Sequence, residues 1–229
     1  MQLKRKEEMQ KTPKTLKTKL IKDDIVLEVC KNYTYEFKEE IEFKKHELPK
    51  ELLPEDFSIG IIIGSSGSGK SVLLNDMTDI IKNPKFSEDK AICSHFESYK
   101  DAEERLQGAG LNSIPSWLKP FNTLSNGQQY RANLALELKS NIGIDEFTSV
   151  IDRGTALGLS NSIQKYIRTK GLKNIIFASV HKDIVQYLNP DWVYDTDNEE
   201  LTLNSTIYDL SIEGNPSIQY NTKKHFMEV

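Results

Sequence analysis

The sequence predicts an α/β fold: a mostly parallel central sheet with flanking helices, an N-terminal antiparallel β part and a short helical insert. Three observations carry this. Ile59, Ile61, Ile62 and Ile63 form a β-branched run broken only by Gly60 and ended by Gly64, the composition of a strand buried on both faces. From there strands and helical stretches alternate, which implies parallel strands joined by helical crossovers. Ahead of that run, Ile25, Leu27, Tyr33, Tyr35 and Phe37 fall on every-second positions within residues 23–45, as in half-buried strands.

The elements follow in order. Residues 1–22 carry eight lysines and arginines against Glu7 and Glu8 and form a basic flexible tail, read either as a solvated terminus or as an arm that touches phosphates. Residues 48–55 make a turn region. After the isoleucine run and a Gly/Ser loop, Val72, Leu73, Met77, Ile80 and Ile81 give helical spacing over residues 71–82. An inserted unit follows, in which Ser98 with Asp101 starts a helix and Gly108-Ala109-Gly110 stops it. Helices are expected over residues 126–139, 161–169 and 184–188. Strands are expected over residues 141–145 and 175–180, with a hairpin whose strands 192–194 and 201–203 bracket Asp197-Asn198.

Composition sets the class. The chain has 229 residues, enough for one sizeable core. Hydrophobic residues make up 38% and charged residues 28%, so disorder is excluded as the dominant state. A net charge of −4 gives no general attraction to nucleic acid. Cys30 and Cys93 stand far apart in no metal-binding or redox spacing, which fits a reducing, cytoplasmic setting. No apolar run approaches the roughly 20 residues of a membrane span, and no apolar stretch follows the basic terminus as in a signal peptide.

The strongest motif is Gly64-Ser65-Ser66-Gly67-Ser68-Gly69-Lys70-Ser71, which fits G-x-x-x-x-G-K-S/T at every fixed position, between a buried strand and a helix. Glycines let backbone N–H groups approach a triphosphate without a Cβ in the way. The helix that starts here aims its free N–H groups at the same anion. Lys70 is placed to reach the β- and γ-phosphates of ATP, and the Ser71 hydroxyl to ligate Mg²⁺. Asp145-Glu146 ends a later strand. There Asp145 is suited to hold Mg²⁺ and Glu146 to orient or deprotonate an attacking water.

Leu124-Ser125-Asn126-Gly127-Gln128 opens a helix ahead of this pair, Phe147-Thr148-Ser149-Val150-Ile151-Asp152 follows it, and His181 ends the strand at residues 175–180. In this order and spacing, over about residues 57–195, the set resembles the ABC ATPases. The resemblance implies a P-loop NTPase fold of the ABC type over residues 23–212, with the helical insert at 86–139 and a C-terminal tail at 213–229. It further implies that Ser125, Asn126, Gly127 and Gln128 face the γ-phosphate of ATP held by a second subunit. Asp152 is implied on a loop crossing that dimer interface, and His181 as a catalytic partner of Glu146 and Lys70 that bonds the γ-phosphate. A homodimer then forms on ATP binding and completes two sites. The chain departs from the pattern at Asn126 (commonly glycine), at Phe147 (commonly proline) and in having no glutamine where the loop before the insert needs one. His95 and Glu97 are candidates to stand in for that glutamine, and Tyr33, Tyr35 and Phe37 are read either as the aromatic that stacks on adenine or as core residues.

The short interval from Lys70 to Leu124, with Trp117-Leu118-Lys119-Pro120 and Asn189-Pro190-Asp191-Trp192-Val193-Tyr194-Asp195, is similar to a group of soluble phage and prokaryotic ABC ATPases associated with GNAT-type acetyltransferases. The chain ends soon after that last segment, so an acetyltransferase is expected as a separate chain. Three functions stay open at this point: an ATP-driven switch acting on a protein or nucleic acid, the ATPase subunit of a transporter, and a nucleotide-dependent binding module with little turnover.

Overall fold

The structure is a computed structural model and describes residues 14–204 apart from Asn83. The remainder of the basic tail and the expected C-terminal tail lie outside the described residues. The chain divides into two compact units, residues 1–48 and 49–229.

In the first unit, β1 (Lys14–Lys19) pairs antiparallel with β2 (Glu40–Lys45), Leu16 opposite Phe43. An antiparallel β part was expected in residues 23–45, but its first strand lies earlier, in the stretch read as tail. Between the two strands stands a helix, α1 (Asp24–Tyr33), where the every-second spacing predicts strand. The caps decide it. The Asp23 side chain accepts from the Val26 N–H at 2.9 Å, and Thr34 ends the helix in the left-handed region at φ 52°. Ile25, Val29 and Tyr33 then recur every fourth residue on one face. Tyr33 closes α1, with Tyr35 and Phe37 beyond it.

The second unit holds a five-stranded sheet in the order β4 (Ile142–Ile144), β5 (Ile175–Ser179), β3 (Ile59–Ile63), β6 (Trp192–Asp195) and β7 (Glu200–Leu203). All neighbours are parallel except the β6–β7 hairpin. Every residue of β3 and β5 is buried, as their apolar runs require. Gly60 sits opposite Trp192, and a Cβ there would lie 2.1 Å from the indole ring, so only glycine lets Trp192 lie flat on β3. The Asp191 carboxylate accepts from the N–H groups of Ser58 (2.7 Å) and Ile59 (2.9 Å), which pins the start of β3 to that of β6.

Six helices of this unit are described: α2 (Lys70–Met77), α3 (Tyr99–Gly108), α4 (Ile114–Trp117), α5 (Asn126–Glu137), α6 (Arg153–Thr169) and α7 (Val185–Leu188). α2 is shorter than its apolar spacing predicts. After Thr78 the chain extends, and Ile80 bridges in parallel to Gly143 on the edge of β4. α6 is longer: it starts eight residues before the first expected helical residue, capped by the Asp152 side chain, which accepts from the Thr155 N–H at 3.0 Å. α3 packs on α5 and α6, and its Arg105 donates to the Ala135 and Leu138 carbonyls at the end of α5, each at 3.2 Å. Gly143, an oddity in a buried strand, faces α2: a Cβ would come within 3.0 Å of Leu74 Cδ1.

Candidate functional site

The carboxyl ends of parallel strands are where an open α/β sheet exposes its connecting loops. Here the loop after β3, the Asp145–Asp152 segment after β4 and His181 after β5 emerge at that edge, on three consecutively hydrogen-bonded strands.

The loop Gly64–Gly69 is shaped by three glycines with positive φ: Gly64 (152°), Gly67 (77°) and Gly69 (88°), the last capping α2. A Cβ on Gly64 would stand 2.0 Å from Thr196 Oγ1, so the hairpin after β6 leaves room only for glycine. Lys70 is buried (8% exposed), and its Nζ donates to the carbonyls of Gly64 (3.0 Å) and Ser65 (2.5 Å) across the loop. Burial lowers the Lys70 pKa, opposed by the negative charges of Asp197 and Asp145. Ser65, Ser66 and Gly67 are exposed, with Ser68 and Gly69 half-buried behind them. Positive-φ glycines, an eight-residue helix starting at the loop and an ammonium folded into it make a receptor for a multiply charged anion.

Asp197, seen in the sequence only as a turn residue, accepts from the Ser65 N–H (2.9 Å) and the Ser65 hydroxyl (2.7 Å). These bonds, then Lys182, hold its pKa below the usual carboxylate value. Lys182 also donates to Asp195 at 2.8 Å. Thr196 bonds the Ser68 hydroxyl at 2.6 Å and the Ile63 carbonyl at 3.0 Å. The β6–β7 turn therefore clamps the phosphate-loop sequence from 132 residues away.

After β4, Asp145 Oδ1 accepts from the Glu146 N–H at 2.9 Å, and the Glu146 side chain is exposed. Glu146 (φ 49°) and Thr148 (φ 72°) both adopt the left-handed region, unfavourable for a β-branched residue such as threonine. Phe147 explains its departure from proline: its N–H donates to Ala178 on β5 at 2.8 Å, which proline cannot do, and its buried ring meets Phe177. The His181 Nδ1 lies 2.9 Å from Thr148 Oγ1. Partial burial lowers the His181 pKa, and the charge of Arg153 lowers it further.

The oxygen donors expected to hold Mg²⁺ are the Ser71 hydroxyl at the start of α2 and the Asp145 carboxylate; no group of three or more His, Cys, Asp or Glu side chains that could hold a metal occurs among the described residues. That sparse, hard-oxygen set fits Mg²⁺, which keeps waters and takes substrate phosphate oxygens as ligands.

The helix α5 begins with a capping box. Ser125 Oγ accepts from the Gln128 N–H (3.4 Å), and Gln128 Oε1 from the Ser125 N–H (3.1 Å), while Gln128 Nε2 donates to Ser116. The N–H groups of Asn126 and Gly127 at the same end have no acceptor within the helix. A Cβ on Gly127 would lie 3.2 Å from Ile151, so this end packs on the segment that follows Glu146. Arg131 donates to the Gly110 carbonyl at 2.8 Å, tying α5 to the turn that follows α3. Asp152, expected on a crossing loop, caps α6 within its own chain, and bonds from Thr155 lower its pKa. His95 is engaged locally: Nε2 accepts from the Ser87 N–H at 3.0 Å, and Nδ1 faces the Ala91 and Ile92 carbonyls. Glu97 is exposed.

No protein-family model matches the chain, and no curated protein matches it. Solved structures do. The dimeric structure of MJ0796, a bacterial ABC transporter cassette, is similar with a TM-score of 0.50 at 18% identity, covering 69% of this chain and 88% of that one. The dimeric post-hydrolysis state of that ATP-binding cassette with ADP and Pi matches at 0.50 and 19%, covering 70% and 89%. The mostly parallel sheet, its flanking helices and the loop-bearing edge are those of an ATP-binding cassette fold.

Proposed function

We propose that this protein binds MgATP on the loop Gly64–Ser71 and hydrolyses it as a nucleotide-sandwiched homodimer, a cytoplasmic switch that acts on a protein or nucleic-acid partner. The observation that carries the reading is the gathering of the Lys70 loop, Asp145-Glu146 and His181 at the carboxyl ends of adjacent strands.

Each group has a task in that reaction. The loop amides and Lys70 hold the β- and γ-phosphates. Bound Mg²⁺ supplies charge neutralisation on the phosphate oxygens, with Ser71 and Asp145 as its protein ligands. Glu146, exposed beside Asp145, orients the attacking water and accepts its proton. Ser125, Asn126, Gly127 and Gln128 complete the γ-phosphate site of a second subunit through the N-terminus of α5. Asp152 lies near that contact as the cap of α6.

The test is steady-state ATP hydrolysis with and without duplex DNA, with Glu146→Gln as the blank. Hydrolysis by wild type but not by the variant supports the reading. Stimulation by DNA makes nucleic acid the client. A rate blind to DNA points to a protein, and the resemblance to acetyltransferase-associated ATPases makes a separate acetyltransferase chain the first to try. Wild-type turnover equal to the blank overturns the ATPase and leaves a nucleotide-binding module. Lys70→Ala is expected to abolish ATP binding, checked by fluorescent-nucleotide titration. A transporter subunit is the second reading, favoured by the likeness to a transporter cassette. Co-purification with an integral membrane partner decides it.

A further inference from the structure

Two buried hydroxyls converge on one carbonyl beside the candidate site. Thr148 Oγ1 donates to the Phe147 carbonyl at 2.5 Å, and Ser179 Oγ donates to the same oxygen at 2.8 Å. A carbonyl oxygen has two lone pairs and takes both protons; each hydroxyl has only one to give. Thr148 is 0% exposed and Ser179 1%, so water is excluded as a competing partner. With those protons on the carbonyl, both hydroxyl oxygens serve as acceptors, and both face His181. Its backbone N–H donates to Ser179 Oγ at 3.1 Å. Its Nδ1 lies 2.9 Å from Thr148 Oγ1; with the threonine proton on the Phe147 carbonyl, that bond takes its proton from the imidazole.

We propose that Thr148 is a positioning residue that fixes His181 as the Nδ1–H tautomer, so that the neutral ring meets the reaction with Nε2 as a hydrogen-bond acceptor. The catalytic part of this rests on the ATPase reading above. In that reaction Nε2 accepts from the attacking water, rather than donating to a γ-phosphate oxygen; donation needs a second proton on the ring. The arrangement is held from several sides. The Phe147 carbonyl is aimed by its own N–H on Ala178 and by its buried ring. Thr148 is kept in its unfavourable backbone conformation partly by its N–H, which donates to the Tyr130 hydroxyl on α5 at 3.4 Å. Burial and the Arg153 charge favour the uncharged ring, the form for which the choice of tautomer matters.

The experiment is long-range ¹H–¹⁵N NMR of the histidine rings in the full-length, nucleotide-free protein at about pH 7.5, above the ordinary histidine pKa. His181→Gln assigns the resonances. Wild type is expected to show a protonated Nδ1 and an unprotonated Nε2 for His181. Thr148→Val, similar in shape but without the hydroxyl, is expected to move the proton to Nε2, and Thr148→Ser to keep it on Nδ1. In ATPase assays Thr148→Val is expected to lower kcat about tenfold, the scale of one lost hydrogen bond, with KM for ATP little changed, and Thr148→Ser to restore the rate. A neutral wild-type ring protonated on Nε2 overturns the proposal, as does a tautomer unmoved in Thr148→Val. If Thr148→Val does not fold, the wild-type and Thr148→Ser spectra decide. Because the spectra need no turnover, an inactive protein with the expected tautomer refutes the ATPase reading and leaves the positioning role standing.

Discussion

Asp197 holds Ser65 from 132 residues away, by its backbone N–H and its hydroxyl at once. The loop needs this because Ser65 and Ser66 are exposed and glycines bracket them, so little packing fixes their backbone. Asp197→Ala is expected to weaken nucleotide binding about tenfold by freeing the loop, and Asp197→Asn, which keeps an acceptor for the N–H, by less. Titration of the wild-type and variant proteins with a fluorescent nucleotide checks this. His181 gives a pH prediction. Its folded pKa is lowered, so the neutral ring's contribution to stability is present above the ordinary value of about 6.5 and is lost as pH falls through the folded value. Thermal melts at about pH 8 and pH 5.5 should show wild type losing more stability on acidification than His181→Gln.

Elements buried on both faces were legible because their chemistry is uniform. β3 and β5 need unbroken apolar runs, and the sequence has them. The loop Gly64–Gly69 was legible for a related reason: its positive-φ turns favour glycine. α1 was not, since a short segment satisfies a period of two and a period of 3.6 together, and the caps at Asp23 and Thr34 separate them. Asp197 carried only a turn signal and Thr196 none. They matter through pairing across the sheet, as Trp192 does opposite Gly60. Gly60→Ala is expected to cost about 1–3 kcal/mol, because the added methyl drives into the indole, and a urea melt measures it. Phe147→Pro, which restores the residue usual in the ABC ATPases, should destabilise the chain by about 1–3 kcal/mol, since the Ala178 carbonyl loses its donor.

At the scale of the whole molecule, binding nucleotide to the folded chain alone must raise its melting point, by about 2.7 kcal/mol of stability at a hundredfold excess over Kd. Glu146→Gln with ATP is expected to run as a dimer in light scattering, and wild type without nucleotide as a monomer. The clamp from the β6–β7 turn also bears on how the protein is made. Residues 64–71 leave the ribosome long before Asp197, yet that carboxylate fixes Ser65, and Thr196 and Trp192 pack over Gly64 and Gly60. A nascent chain released before β6 carries the loop's sequence without the clamp that shapes it. On the ATP-binding reading, capture of nucleotide then waits for the β6–β7 hairpin, and it reports that the sheet has been assembled through β6.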